Sequence, residues 1–196
     1  MLPVPVLLRK LIHLGGTVVP LGYLFLLPDR ITLATILGLT AVVFLAIDLA
    51  RIRKLPIITR LFAALFDRML VAGELGGRIT GATWLLIGAF FTVLIFPREI
   101  AIWSLLVVTV GDPLAALVGS CCGRSRIGGK SLEGTLAGIL FTFPLVYLIP
   151  DLSIGLALIG LATGMLVELL PLPINDNLAI PLFSGAIMTV LRTILG

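Results

Sequence analysis

Seven apolar stretches dominate this sequence, and most of them are long enough to cross a lipid bilayer as a helix. A spanning helix needs roughly 17 to 25 mostly apolar residues. The stretches are separated by Pro28, Pro97, Pro150 and Pro171, at which a helix loses a backbone donor. They cover residues 8–27, 31–50, 80–96, 99–121, 132–149, 152–170 and 178–195. We predict an all-α, polytopic membrane protein with about seven transmembrane helices in a single domain, residues 1–196.

The segment 56–72 is also apolar, but it carries Arg60, Asp67 and Arg68. Charges distributed along a helix favour a position in the membrane interface, with one face in the lipid, over a full crossing. We therefore predict one interfacial amphipathic helix in addition to the spanning helices.

The composition excludes a water-soluble domain. Of the 196 residues, 59% are hydrophobic and only 12% are charged, too few to cover a water-facing surface. The chain has 14 Lys plus Arg against 10 Asp plus Glu, but it lacks the stripe of basic and aromatic residues that nucleic-acid-binding surfaces use. We expect membrane lipids, and no nucleic acid, among its partners.

The basic residues fall mostly on one side of the predicted bundle. With seven spans, 11 of the 14 share one face, and only Arg30, Arg98 and Arg192 lie on the other. Cytoplasmic loops carry such an excess of Lys and Arg, so this distribution places the basic face in the cytoplasm. The residues of that face are Arg9, Lys10, Arg51, Arg53, Lys54, Arg60, Arg68, Arg78, Arg124, Arg126 and Lys130.

Asp112 is the most informative polar residue, because it interrupts the apolar stretch 99–121. An acid inside a membrane segment is costly and usually faces a polar interior, a partner or an ion. Gly111 permits close approach, and Pro113 leaves a carbonyl one turn earlier without its donor. We predict a functional role for Asp112; a break of the helix at this point would open it around the carboxylate.

Other polar residues are predicted to lie at the same cytoplasmic depth, and each also has a purely structural interpretation. Asp48 can simply form an ion pair with Arg51, and Glu74 can pair with Arg78 at i+4. An isolated histidine is more often an interhelical hydrogen-bonding group than a base, and a polar run before a helix can be an N-cap cluster. These residues are His13, Asp48, Glu74, Glu133, Glu168 and the run Asn175-Asp176-Asn177.

The loop 122–133 contains Gly129-Lys130-Ser131, which is similar to the end of a phosphate-binding P-loop. A P-loop needs a glycine at position 124, where this chain has Arg124. It also needs a preceding β-strand, whereas here a membrane helix is predicted. The sequence therefore excludes a P-loop.

The same loop still has the properties of an anion site. Gly128 and Gly129 can expose backbone N–H groups, and Arg126 and Lys130 supply positive charge. A predicted helix begins directly afterwards, with the positive end of its dipole at the loop. Glu133 fits such a site if a divalent cation bridges its carboxylate to a phosphate.

Small residues recur at a spacing of four along three predicted helices. Such pairs let two helix backbones approach closely, and helix packing is the interpretation that we adopt for them. The pairs are Gly119/Gly123, Gly134/Gly138 and Gly160/Gly164.

Together these residues resemble the signature of the CTP-dependent lipid kinases. That group comprises the dolichol (polyprenol), phytol and yeast-type diacylglycerol kinases, and it is distantly similar to the phosphatidate cytidylyltransferases. The resemblance runs from about residue 9 to residue 185. It is carried by Gly111-Asp112-Pro113, Ala115-Ala116, Gly119, Gly123, Gly129-Lys130-Ser131 and Glu133-Gly134, and also by Arg9-Lys10 with His13, Thr80-Gly81-Ala82-Thr83-Trp84, and Asn175-Asp176-Asn177 with Pro181 and Gly185.

The resemblance implies transfer of a phosphoryl group from CTP, with Mg²⁺, to the hydroxyl of an isoprenoid alcohol or of diacylglycerol. The active site would face the cytoplasm from a multi-pass membrane protein. Two other functions remain open. A cytidylyltransferase would use CTP on a lipid phosphate and release pyrophosphate, and a non-enzymatic lipid carrier would need polar residues through the full membrane depth.

The resemblance also implies roles for individual residues. Asp112 and Glu133 would act on metal or as base, Asp176 and Glu168 would be further metal ligands, and His13 would orient the acceptor hydroxyl. Lys130 would be both catalytic and phosphate-binding. The remaining nucleotide or phosphate-binding residues would be Arg9, Lys10, Gly111, Arg126, Gly129, Ser131, Asn175 and Asn177.

Overall fold

The computed structural model describes residues 4–27, 29–56 and 77–195. The interfacial helix predicted at 56–72 lies outside these ranges except for Pro56. The predicted pairing of Glu74 also lies outside them.

Within the described ranges the chain is helical apart from one short β-hairpin. In chain order the elements are α1 (Val4–Gly15), α2 (Val18–Phe25), α3 (Arg30–Ile52), α4 (Gly81–Ile95), α5 (Arg98–Leu106), a π-helical segment (Val107–Gly111), α6 (Asp112–Cys122), β1 (Arg126–Ile127), β2 (Lys130–Ser131), α7 (Leu132–Thr142), a 3₁₀ segment (Phe143–Leu148), α8 (Ile154–Leu169) and α9 (Asp176–Leu195).

Three helical units of the described chain are long and apolar enough to cross a membrane, judged by length and composition. They are Arg30–Ile52, Arg98–Cys122 and Asp176–Leu195, and three shorter apolar helices accompany them: Gly81–Ile95, Leu132–Leu148 and Ile154–Leu169. The prediction of an all-α fold is confirmed in this outline. The number of seven crossings stays a prediction.

The first predicted span is not one helix. The stretch 8–27 falls in α1 and α2, which are separated by a turn at Gly16 and Thr17. The Gly16 N–H donates to the carbonyls of both Ile12 and His13, and the turn then tightens as Thr17 N–H donates to Leu14. A Cβ on Gly16 would lie 2.8 Å from the His13 carbonyl oxygen, so a larger residue would not fit this turn.

The unit formed by α5, the π-helical segment and α6 occupies the centre of the bundle. Every residue from 100 to 113 is buried, and the Trp103 indole N–H donates to the Ala157 carbonyl of α8 at 2.9 Å. The outer surface is apolar instead: Leu39, Leu136 and Leu140 are 65%, 64% and 67% exposed. An extended apolar surface of this kind indicates contact with lipid.

The helix does not break at Asp112. It continues through the π-helical segment, whose wider turn precedes Asp112, and Pro113 then lies in the first turn of α6. A proline is tolerated in a first turn, and a π turn relieves the crowding that its ring would cause in a regular helix. One widened turn thus accommodates Pro113 within a continuous helix.

The glycine pairs lie at close helix contacts, as predicted. A Cβ on Gly119 would lie 2.6 Å from Ser131 Oγ, and one on Gly134 would collide with the Ala115 carbonyl oxygen. These two contacts bring α6 and α7 together. Gly164 of α8 is equally restricted, since its Cβ would lie 2.6 Å from Val107.

Asp48 joins the end of α3 to the start of α4. It is 1% exposed, and its carboxylate accepts hydrogen bonds from Arg51, from the Thr80 N–H and hydroxyl, and from the Thr83 hydroxyl. A buried carboxylate is stable only when such partners satisfy it. The predicted pair with Arg51 is therefore confirmed, and the Thr80–Thr83 segment has a structural role in it.

Candidate active site

Five elements bring polar side chains together at one end of the bundle, which we call the site end. Four of the polar residues that the sequence predicts at one depth, His13, Asp112, Glu168 and Asp176, lie there, whereas Glu74 is outside the described residues. The side chains are those of Lys10 and His13 in α1, Asp112 at the start of α6, Lys130 in β2, Glu168 near the end of α8 and Asp176 at the start of α9.

Asp112 is held by two residues of α1. Its Oδ1 and Oδ2 accept hydrogen bonds from Lys10 Nζ at 2.9 and 2.8 Å, and its Oδ2 lies 3.1 Å from His13 Nδ1. The carboxylate is 6% exposed, and the histidine side chain is 8% exposed. Lys10 and His13 are three residues apart, so they lie on the same face of α1 and can contact one carboxylate.

Lys130 forms a second cross-element ion pair. Its Nζ lies 2.7 Å from Asp176 Oδ2, and it also donates to the backbone carbonyl of Glu168. The Glu168 carboxylate is 3.9 Å from the same Nζ and accepts a hydrogen bond from the Thr135 hydroxyl at 3.3 Å. One lysine therefore ties the hairpin to the facing ends of α8 and α9.

The position of Lys130 depends on a two-residue turn. β1 and β2 form an antiparallel hairpin in which Ile127 pairs with Lys130, and Gly128 and Gly129 make the turn with φ of +56° and +91°. Two consecutive positive φ values are typical of the turns that close tight hairpins, and glycine adopts them without strain. The Arg126 guanidinium donates to the Gly129 carbonyl and stays at the same loop.

Glu133 contacts the backbone of its own loop. Its carboxylate accepts hydrogen bonds from the backbone N–H groups of Arg124 and Ser125, at 3.0 Å each, and so holds the loop before the hairpin. It lines neither of the two cavities described below. The partners of Asp112 are Lys10 and His13 rather than Glu133.

Asn177 forms two hydrogen bonds within the fold. Its side-chain amide donates to the Gly81 carbonyl at 2.7 Å, and its backbone N–H donates to Asn175 Oδ1. Gly81 in turn lies against the guanidinium of Arg9, which a Cβ at this position would overlap. The predicted nucleotide-binding residues Arg9, Asn175 and Asn177 therefore meet around the start of α4.

Two more predicted nucleotide-binding residues also have structural contacts. Gly111 packs against Met165, where a Cβ would lie 2.8 Å from the sulfur. Ser131 caps α7, because its hydroxyl accepts the Gly134 N–H at 3.1 Å. Ser131 still borders a cavity, whereas Gly111 lines neither of the two.

Two cavities open on either side of the two lysine–aspartate pairs. The smaller has a volume of about 240 Å³ and the larger about 420 Å³. Both are lined by Lys10, Asp112, Lys130 and Asp176. The smaller is completed by Ala115, Ala116, Gly119, Ser120, Arg126, Gly129, Ser131 and Glu168, and the larger by Arg9, His13, Leu170, Pro171, Leu172, Ile174, Asn175 and Asn177.

Within the described ranges, the carboxylates of the site do not form a complete set of metal ligands. Among the described residues, no group of three or more His, Cys, Asp or Glu side chains is placed to hold a metal ion. Mg²⁺ is often held by only one or two carboxylates, with substrate phosphates and water completing its shell. Asp176 and Glu168, which both line the smaller cavity, suit that kind of site.

Sequence reasoning missed two parts of the site. Thr135 fixes the Glu168 carboxylate, and the segment 170–174 forms an apolar wall of the larger cavity. The hydroxyl of Thr135 lies one helical turn beyond the Ser131 N-cap, a spacing that could have indicated it. The wall residues carry no such signal, since they resemble every other apolar residue of the chain.

No model of a known protein family matches the chain, and no solved structure matches it. An uncharacterized protein of Rickettsia prowazekii is 33% identical over 187 residues, which cover 89% of this chain and 88% of that protein. A phytol kinase of Synechocystis is 31% identical over 194 residues, which cover 91% of this chain and 76% of that protein. Both similarities extend over most of each chain.

Proposed function

Because this chain belongs to the protein family that contains the phytol kinase of Synechocystis, we propose that it is a membrane lipid kinase. It transfers the γ-phosphate of CTP to the hydroxyl of a lipid alcohol, either an isoprenoid alcohol of the phytol or polyprenol type or diacylglycerol. The products are a lipid phosphate and CDP.

The observation that carries this proposal is the pair of lysine–aspartate contacts between two cavities at one end of an apolar bundle. Phosphoryl transfer requires mainly the positioning of donor and acceptor and the stabilisation of charge on the phosphoryl oxygens. Lys10 and Lys130 provide that charge on the wall that the two cavities share. The apolar outer surface keeps the same site at the edge of a membrane, where a lipid alcohol presents its hydroxyl.

The smaller cavity suits the triphosphate of the nucleotide. Arg126 and Lys130 line it together with Gly129, whose backbone has the positive φ that lets a loop approach a phosphate closely. The N-terminus of α7 follows directly and contributes the positive end of its dipole. In this proposal Glu133 supports the loop from outside the cavity.

The carboxylates of the site fall into two groups. Asp176 and Glu168 are the residues that would hold Mg²⁺, which would neutralise charge on the phosphates of bound CTP. We assign Asp112 the role of positioning α1 side chains, because Lys10 already contacts both of its oxygens and His13 contacts one of them. When the nucleotide binds, Lys130 can turn from Asp176 towards the phosphate oxygens, and Lys10 can donate its third ammonium N–H to them while it keeps Asp112.

We place the active site on the cytoplasmic side of the membrane. The site end contains Lys10, Arg126 and Lys130 of the basic-rich face, and cytoplasmic loops are enriched in such residues. CTP is available in the cytoplasm, so this orientation supplies the donor directly.

The test is a transfer assay with the purified protein in detergent micelles. CTP or ATP is combined with phytol, farnesol, a polyprenol or diacylglycerol, with Mg²⁺ or with a chelator. We expect a lipid phosphate and CDP only with CTP and Mg²⁺. Release of pyrophosphate would indicate a cytidylyltransferase instead, and no turnover with any acceptor would contradict the proposal.

A further inference from the structure

We propose that the larger cavity binds the acceptor alcohol and that His13 Nε2 is the base that removes the proton of its hydroxyl. The inference rests on the proposed function, because it assigns the second substrate of the same reaction.

The two cavities differ in the residues that are not shared. The larger has an apolar wall from the loop between α8 and α9, in which Leu170 and Ile174 are 38% and 44% exposed. The smaller has only alanine and glycine as apolar lining, beside the basic hairpin. An alcohol with a hydrocarbon chain needs apolar surface next to its hydroxyl, whereas a triphosphate needs cations and backbone N–H groups.

His13 lines the larger cavity and not the smaller. It is 7% exposed, and its Nε2 is buried without a hydrogen-bond partner in the part of the chain that the structure describes. Buried polar atoms in proteins are nearly always paired, so an unpaired one on a residue that lines a cavity is a position that a water or a ligand atom can fill. The hydroxyl of an alcohol is a group that can occupy it.

Asp112 sets the tautomer and the orientation of the His13 ring. With Nδ1–H donating to the Asp112 carboxylate, the neutral imidazole carries its lone pair on Nε2. Lys10 holds the same carboxylate through both oxygens, which keeps the ring in one orientation. The carboxylate also stabilises the imidazolium that forms once the proton has been taken.

The transfer step follows from this arrangement. The acceptor hydroxyl gives its proton to His13 Nε2 while its oxygen forms a bond to the γ-phosphorus. The bond from that phosphorus to the β–γ bridging oxygen breaks, and its electron pair leaves with CDP. The group in transfer lies at the shared wall, against Lys10 and Lys130, and His13 later releases its proton to water.

The experiment compares wild-type protein with His13→Ala and His13→Gln, using whichever alcohol of the panel above the wild type phosphorylates. General-base catalysis contributes about 10²- to 10⁴-fold, so we expect kcat to fall by about 10²-fold or more in both variants. CTP affinity, measured by equilibrium binding of a fluorescent CTP analogue, should change less than about threefold, because His13 is outside the nucleotide cavity. Added imidazole should restore at least about tenfold of the rate to His13→Ala, where the ring has left a space, and not to His13→Gln.

A second variant tests the cavity without touching the base. Ile174→Asp places a charge on the apolar wall, and we expect the KM for the alcohol to rise about tenfold with little change in the KM for CTP. The matched control is Ile154→Asp, because Ile154 is similarly exposed, at 46%, at the opposite end of α8.

The outcomes separate the inference from the proposed function. Active wild-type protein with a His13→Ala variant that keeps most of its kcat, or that is not rescued by imidazole, overturns the assignment of the base. An Ile174→Asp variant that raises the KM for CTP rather than for the alcohol overturns the assignment of the cavity. Wild-type protein that phosphorylates no alcohol overturns the proposed function, and the inference with it.

Discussion

The two ends of the bundle differ in what most of their basic residues contact. At the end away from the site, which we call the far end, Arg30 donates to the carbonyls of Val93 and Leu94, where α4 finishes. Arg98 donates in the same way to the carbonyls of Tyr23 and Leu24 near the end of α2. The last turns of a helix have carbonyls without an intrahelical donor, so these arginines satisfy backbone groups.

At the site end the cross-element pairs use lysine and carboxylates. Lys10 contacts Asp112, and Lys130 contacts Asp176. A lysine ammonium is a compact charge on a flexible stem, whereas an arginine guanidinium is a rigid fork that binds several acceptors at once. An ionic contact inside a membrane protein is therefore not by itself a sign of function. A contact that borders a cavity and can exchange its partner is the one to test.

The sharpest test of this contrast is Asp112→Asn. The amide cannot balance the charge of Lys10 or stabilise a protonated His13, so we expect transfer activity to fall by about 10³-fold or more. The measurement is the initial rate of CDP formation, with gel filtration and thermal unfolding to show that the variant is folded. The matched control is Asp151→Asn, an exposed aspartate before α8 at the far end, which should keep wild-type activity. Full activity in Asp112→Asn would show that the Asp112 cluster at the site end takes no part in phosphoryl transfer.

The second test is Lys130→Met, which keeps the length of the side chain and removes its charge. We expect kcat/KM for CTP to fall by about 10²-fold, because a phosphate loses a cation that stabilises the transferring group. The variant also leaves Asp176 and Glu168 without their shared partner, so its thermal stability must be measured beside its rate. A variant with normal kinetics and lower stability would make this pair structural, like the arginines of the far end.

For Arg98→Met at the far end we expect a loss of stability without a loss of activity. Two carbonyls lose a charged donor, and Arg98 also lies 5.7 Å from the centre of the Tyr23 ring. Hydrogen bonds to charged groups contribute about 1.5–3 kcal/mol, and we expect the free energy of unfolding to fall by about that amount. The midpoint temperature of thermal unfolding should drop, while kcat measured well below that midpoint stays near the wild-type value. A loss of kcat without a loss of stability would contradict the comparison.

The smallest effect is expected for Arg192→Gln, again at the far end. Arg192 pairs with Glu99, but its side chain is 54% exposed. Exposed ion pairs contribute less than about 1 kcal/mol, so both stability and kinetics should be almost unchanged. A clear loss of stability in the same unfolding assay would show that this pair is shielded from water in the membrane.

The sequence predicted the helices well, because apolar runs ended by proline or charge are a strong local signal. It also predicted that polar residues meet at one end, because the side on which each loop lies follows from the number of spans. Lys10, His13 and Asp112 were all selected, yet their mutual contact was not predicted. That contact depends on how α1 is rotated against α6, which no local pattern specifies.

Other residues that the family pattern assigned to the chemistry also have structural contacts. Glu133 accepts two backbone N–H groups of its own loop, and Asn177 bonds to the Gly81 carbonyl. A pattern of residue types does not distinguish a carboxylate that contacts substrate from one that holds a loop. The distinction came only from the atoms that each side chain contacts.

The π-helical segment before Asp112 sets the rotation of α6 relative to α5. α5 must direct its side chains into the apolar core, while α6 must direct Asp112 towards α1. An α-helix advances about 100° per residue, so the widened turn shifts the phase between these two halves of one rod. Deleting a single residue from Val107–Gly111 would restore a regular helix. Either α5 or α6 would then be rotated relative to the helices that it packs against. The core and the site can therefore keep their own orientations only while that extra residue separates them.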